Sequence, residues 1–449
     1  METKINVADV IDEAKLTPYH WKVVIFGAVM MMLDGYDLSV MGLAVPAIAS
    51  AWGQEASIFK WSLSASLVGV GVGSILAGFC GDRWGRRSTL IGMFLFGSVA
   101  CLGTSLASEV WHLVCWRFLV GIGMGGAIPN VIALISELMP AKRRPLMIVL
   151  VYSGAALGGG IGSLLASVII PAYGWQSVFV VGGVLPLAIA LFVYRALPES
   201  PAFLIAKGRR DPHASATILR LRPDFSREKT SRLEIPDAGL GANPGVGALF
   251  RNKLAASTIL IWTLFVCTQA MVFFIQSWYA TLLTRGGYSL ETALRVFSLW
   301  DFGALVGGIV VAWMASQFRL ERLLTCAYAM SAACLFALST NVQDIAMAQI
   351  ITFATGFSVV GASFCMGALA ASYYPTEIRA TGIGWGLGIG RVGSIVSPLL
   401  GGAALAAGWT NQEILVTAML PAIVAGVAVF VLSLLSAGQA RQATAGFSH

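Results

Sequence analysis

Apolar stretches long enough to span a bilayer recur twelve times in this chain, near 21–50, 58–79, 89–108, 112–138, 145–170, 175–197, 254–284, 291–315, 321–340, 343–371, 380–407 and 411–435. Each covers roughly 30 Å of hydrocarbon when helical. A segment inside lipid has no water to satisfy its peptide groups, so it must bond them internally, which a helix does within one segment. Composition agrees. Mean hydropathy is +0.79, and charged residues make up only 11% of the chain, too few to cover a soluble fold of this size. An all-α membrane protein is expected, with the lipid bilayer as its surroundings.

Charge placement predicts the topology. With the N-terminus inside, about 24 of the 29 Lys and Arg residues fall on cytoplasmic segments, the bias expected of inner loops. Lys60, Arg285 and Arg295 fall outside, and Arg117 and Arg391 lie within spans. Both termini are therefore expected in the cytoplasm of a bacterial cell, the chain lying in the inner membrane. The net charge of +7 is scattered over loops and not gathered on one face, which argues against nucleic acid. Asp9, Asp12 and Glu13 precede any apolar run, so no cleavable signal peptide is expected. The seven cysteines form no CxxC pair and read as small apolar residues.

One polar, basic interruption at 198–252 separates six spans from six. The expected organisation is a cytoplasmic segment 1–20, a six-helix bundle 21–197, a linker 198–252, a second bundle 253–436 and a tail 437–449. The halves echo each other. Glu137 and Arg143 follow the fourth span beside Pro140, and Glu377 and Arg379 follow the tenth beside Pro375. Two such bundles suggest a central cavity with a substrate site near the midplane.

Charged residues inside spans are costly and normally have a task. Asp34 and Asp37 share one face of the first span, about a turn apart. Arg117 in the fourth span needs a partner, and either acid can serve. Arg391 sits in a glycine-rich eleventh span and suits a substrate carboxylate, which guanidinium grips at two points. Asp301 in the eighth span is expected to accept a ring hydroxyl or to neutralise Arg391. Asn130 and Gln276 are candidates for substrate hydrogen bonds. Trp278, Trp300, Phe302, Phe364 and Trp385 are candidates for ring stacking. His20 and His112 read as interfacial. There is no Walker A lysine motif, nucleophile–base set or metal cluster, so neither ATP-driven transport nor enzymatic catalysis is expected.

Several motifs point to a family. Gly78-Phe79-Cys80-Gly81-Asp82-Arg83-Trp84-Gly85-Arg86-Arg87 fits GxxxDRxGRR, a loop signature of the major facilitator superfamily, in which Gly78 permits close helix approach and Asp82 caps or pairs with cations. The matching loop of the second half has Ser316 in place of the acid, so no such lock is expected there. Arg117 opens RxxxGxGxG, which resembles the fourth-helix signature. Gly35-Tyr36-Asp37 resembles the first-helix pattern of sugar porters, which implies proton coupling through Asp37 and Arg117. The fifth span has Gly159 where the antiporter signature wants proline. Asp34-Gly35-Tyr36-Asp37 as a whole resembles the aromatic acid:proton symporter family. So do Pro171-Ala172-Tyr173-Gly174-Trp175, Leu197-Pro198-Glu199-Ser200 and Gly388-Ile389-Gly390-Arg391, in an almost end-to-end match. The resemblance implies twelve helices in two bundles and proton-driven import of a small aromatic carboxylate such as 4-hydroxybenzoate, protocatechuate or gallate. It implies no cofactor beyond the proton. A monomer is expected. Alternatives are symport of another organic anion or sugar-like solute, or a transporter-like chemoreceptor.

Overall fold

The computed structural model describes residues 5–206, 212–225, 233–234, 245–251, 254–340 and 344–445. Much of the expected linker, and the last four residues, lie outside the described residues. The short helices are α1 (Val7–Asp12), α8 (Pro201–Ala206), α9 (Pro212–Leu221) and α15 (Asn411–Thr417). The long ones in the first half are α2 (Pro18–Trp52), α3 (Lys60–Trp84), α4 (Arg86–Ser105), α5 (Val110–Leu138), α6 (Arg144–Tyr173) and α7 (Gln176–Ala196). Those in the second are α10 (Ala255–Arg285), α11 (Leu290–Ala315), α12 (Leu320–Thr340), α13 (Ile345–Tyr373), α14 (Thr376–Ala406) and α16 (Met419–Ala445). Among the described residues, twelve helical spans are long and apolar enough to cross a membrane, as the hydropathy pattern predicts.

One loop is shorter than expected. The polar stretch between the second and third apolar runs continues both helices, leaving Gly85 alone between α3 and α4. Its φ of +103° is a backbone state that glycine adopts freely and other residues rarely do. Asp82 and Arg86 pair across this turn at 2.7 Å.

Helix interiors satisfy themselves. Pro398 lies inside α14 and has no N–H to offer Ser394, four residues earlier. The Ser397 hydroxyl donates to the Ser394 carbonyl instead, at 3.3 Å, a repair common where spans carry proline. Small residues then let the spans approach. A Cβ on Gly158 of α6 would lie 1.8 Å from the Met32 carbonyl oxygen of α2, and one on Gly35 would lie 2.0 Å from that of Ala155. Such contacts exist only where the Cβ is absent.

The helices pack as two compact units. The first comprises Met1–Leu38, Ala65–Gly159 and Tyr173–Gly241. Here α4 packs on α5 and α7. A short parallel pairing joins β1 (Ile5–Asn6) to β2 (Leu233–Glu234), and Val7, Val10 and Ile11 of α1 cluster with Ile218 of α9. The second unit comprises Ser39–Ser64, Gly160–Ala172 and Ala242–His449. Its main packings are α11 on α13, α10 on α14 and α12 on α16. These units cut across the linear division expected at 198–252. The later portions of α2 and α6 group with second-half helices, because Gln276 Nε2 donates to Ser39 Oγ at 2.8 Å and Gly160 abuts Phe302.

Candidate functional site

The glycines of the RxxxGxGxG stretch explain where Arg117 stands. Gly121 lies against the Ser66 carbonyl of α3, Gly123 against Gly97 of α4 and Gly125 against Val70 of α3. Helix α5 is thereby wedged between two neighbours, and the Arg117 carbonyl accepts a bond from Ser66 Oγ at 3.2 Å. On α2, the Tyr36 hydroxyl donates to the Val178 carbonyl of α7 at 2.7 Å. Together with the Gly35 contact, this fixes the rotation of the acidic turn.

The result is a sealed ion pair. Arg117 Nη1 donates to Asp37 Oδ1 at 2.7 Å and Nη2 to Oδ2 at 3.1 Å, with a further bond from Nη2 to the Asp37 carbonyl at 3.2 Å. Asp37 is 2% exposed and Arg117 1%. The Phe179 ring lies 6.0 Å from the guanidinium carbon. Cys101 of α4 approaches Asp37 Oδ1 at 3.7 Å and the Phe179 carbonyl at 3.4 Å. Expected to be an apolar filler, Cys101 is a donor to the buried carboxylate; no sequence signal marks it, because the contact joins α4 to α2. Asp34, one turn earlier, is buried as well.

The other candidates divide. Asp301 is buried in mid-α11 with Oδ2 lacking a hydrogen-bond partner among the described residues. Arg391 is half-buried on α14. Phe302 and Phe364 are half-buried, Phe364 resting on Gly308. Trp385 is exposed and stacks on Trp262, with centroids 6.1 Å apart. Trp278 is fully enclosed, its indole N–H donating to the Pro398 carbonyl at 3.0 Å and its ring lying over Gly401 and Gly402; it is a packing residue in this conformation, as is Trp300. Asn130 joins α5 to α3, giving its Nδ2 protons to Ala77 and Gly126 carbonyls at 3.2 and 3.1 Å. His20, in the first turn of α2, is wholly buried, with Nδ1 at 2.8 Å from Thr17 Oγ1; His112 is exposed.

The loop motif forms a charged cluster. Arg86 reaches Asp82 and, at 3.5 Å, Glu137. Glu199 accepts from the Arg87 backbone N–H at 3.0 Å, a carboxylate at a helix start where anions are favoured. A Cβ on Gly85 would meet Glu199 Oε2 at 2.4 Å. The Arg87 guanidinium lies over the Tyr194 ring and donates to its carbonyl, while Arg83 is exposed. One expectation needs correction. Gly78 has no neighbour within 4 Å of a would-be Cβ, so close approach of α3 to α5 belongs to Gly69 and Gly73, which meet the Phe118 and Ile122 carbonyls. Arg143 is exposed; the next residue, Arg144, pairs with Asp12 at 2.7 Å. In the second half, Glu377 and Arg379 are exposed and form no ion pair among the described residues.

The sealed acid–arginine pair thus lies between helices that are long and apolar enough to cross a membrane. The Major Facilitator Superfamily model matches residues 27–364, and the chain belongs to that superfamily. The gallate transporter of Pseudomonas putida is 32% identical to it, over 96% of this chain and 95% of that protein. The 4-hydroxybenzoate transporter PcaK of Acinetobacter baylyi is 33% identical, over 97% and 95%. Among solved structures, the xylose transporter XylE from E. coli in a partially occluded inward open conformation superposes with a TM-score of 0.71 at 15% identity, covering 92% of this chain and 98% of that one. That likeness carries the fold alone.

Proposed function

We propose that this protein is a proton symporter that imports a small aromatic carboxylate, with hydroxybenzoates as the preferred class, acting as a monomer in the bacterial inner membrane with both termini in the cytoplasm. The observation that carries the coupling is the two-point Asp37–Arg117 pair, closed off from solvent. The substrate class follows from the gallate and 4-hydroxybenzoate relatives.

A proton delivered to the Asp37 carboxylate removes its charge and loosens the grip of Arg117. The substrate anion enters with its carboxylate on Arg391, while half-buried rings such as Phe302 flank the aromatic ring. Proton and anion together leave the net charge of the site unchanged, and the substrate carboxylate closes in already paired with Arg391. Loss of both on the other side restores the Asp37–Arg117 pair. Asp34, buried one turn away, is the alternative carrier.

Asp37→Asn tests this reading in energised cells at pH 6. The amide mimics a permanently protonated acid, so uphill accumulation of 4-hydroxybenzoate should vanish while binding persists. Accumulation that survives in Asp37→Asn and still collapses with a protonophore would move the proton to Asp34.

A further inference from the structure

Asp301 stands apart from the other acids of the second half. Glu291, Glu321, Glu377 and Glu413 occupy the first turns of their helices, whereas Asp301 lies in the middle of α11 and is 5% exposed. Its Oδ2 is enclosed and accepts no hydrogen bond among the described residues.

On α11 and the helices packed against it, several titratable groups have partners of their own. On the α6 side, Gly160 is so close that a Cβ there would lie 3.4 Å from the Asp301 Cβ, and residues 160–172 include no titratable side chain. On α10, Tyr279 packs against Phe297, one turn before Asp301, but bonds to Thr352 of α13 at 2.6 Å. The α12 hydroxyl of Tyr328 is committed to Thr268, and Tyr373 of α13 to Glu321. On α11 itself, Arg295 pairs with Glu291.

A bare carboxylate oxygen in an apolar span is expensive to keep charged. A proton removes that cost. With the oxygen enclosed, a substrate hydroxyl has no route to it in this conformation, whereas a proton is small enough to reside there. We propose that Asp301 is a second proton-binding site, so that two protons accompany each monoanionic aromatic acid and the cycle carries net positive charge inward. The proposal rests on the symport reading above.

The test uses the full-length protein in liposomes, with 4-hydroxybenzoate as probe near neutral pH, where it is a monoanion. Uptake is measured with an imposed pH gradient alone, and separately with a potassium–valinomycin potential, negative inside, and no pH gradient. For wild type both drives should produce accumulation, a potential of about 60 mV alone giving about tenfold for one net charge. In Asp301→Asn the ratio of potential-driven to pH-driven uptake should fall by a similar factor. Wild type that answers the pH gradient but ignores the potential overturns the proposal and leaves one-proton symport standing; this arm holds whether or not the variant folds. A variant with an intact potential response, or one in which only the ranking of benzoate against 4-hydroxybenzoate changes, also overturns it. Wild type that answers neither drive overturns the symport reading itself.

Discussion

Asp37 and Arg117 form a pair in which truncating either side chain leaves a lone enclosed charge at a cost of about 3–5 kcal/mol, whereas a protonated Asp37, or the amide in Asp37→Asn, still offers Arg117 an oxygen. Arg391 is half-buried on α14 and is the proposed anchor of the substrate carboxylate. Arg391→Lys should weaken binding through loss of the planar two-point grip, and Arg391→Ala should weaken it by about 2–5 kcal/mol. The amide of the same acid should bind wild type and Arg391→Ala equally. Calorimetric titration of both proteins with both ligands checks this; unchanged acid affinity in Arg391→Ala removes Arg391 from the site.

At the scale of elements, the acidic turn of α2 is held by backbone contact more than by side chains. Gly158 and Gly35 bring α6 against α2 so closely that a methyl group at either position overlaps a carbonyl oxygen. Gly158→Ala should therefore cost about 1–3 kcal/mol by overpacking and lower the thermal midpoint in detergent. Gly78→Ala, where the would-be methyl meets nothing, should leave that midpoint in place. Equal midpoints for the two variants would show that α2 and α6 separate without penalty. The same logic applies at Gly85, whose positive φ and Glu199 contact allow α3 and α4 to meet at one residue.

For the whole molecule, the distribution of Lys and Arg sets the expected orientation. In a variant lacking the native cysteines, Lys60→Cys should react with a membrane-impermeant maleimide added to intact cells, and Lys142→Cys only after the membrane is opened. The reverse pattern would invert the topology and, with it, the direction assigned to proton and substrate. The polar cluster of Asp82, Arg86, Glu137 and Glu199 would then face outward.

The number, length and helical nature of the spans were determined by the sequence alone, since lipid forces each apolar run to close its own hydrogen bonds. That an arginine in the fourth span needed an acid in the first followed from the cost of a solitary buried charge. Which partner each residue meets was decided by tertiary structure. Asp37 and not Asp34 receives the Arg117 fork, because Tyr36 and Gly35 set the rotation of α2. Cys101 reaches Asp37, Arg144 and not Arg143 reaches Asp12, and Trp278 turns inward onto Pro398. Residues one position apart on a helix differ by about 100° in direction. A sequence pattern fixes that direction only relative to its own helix, and the glycine contacts between helices convert it into a partner.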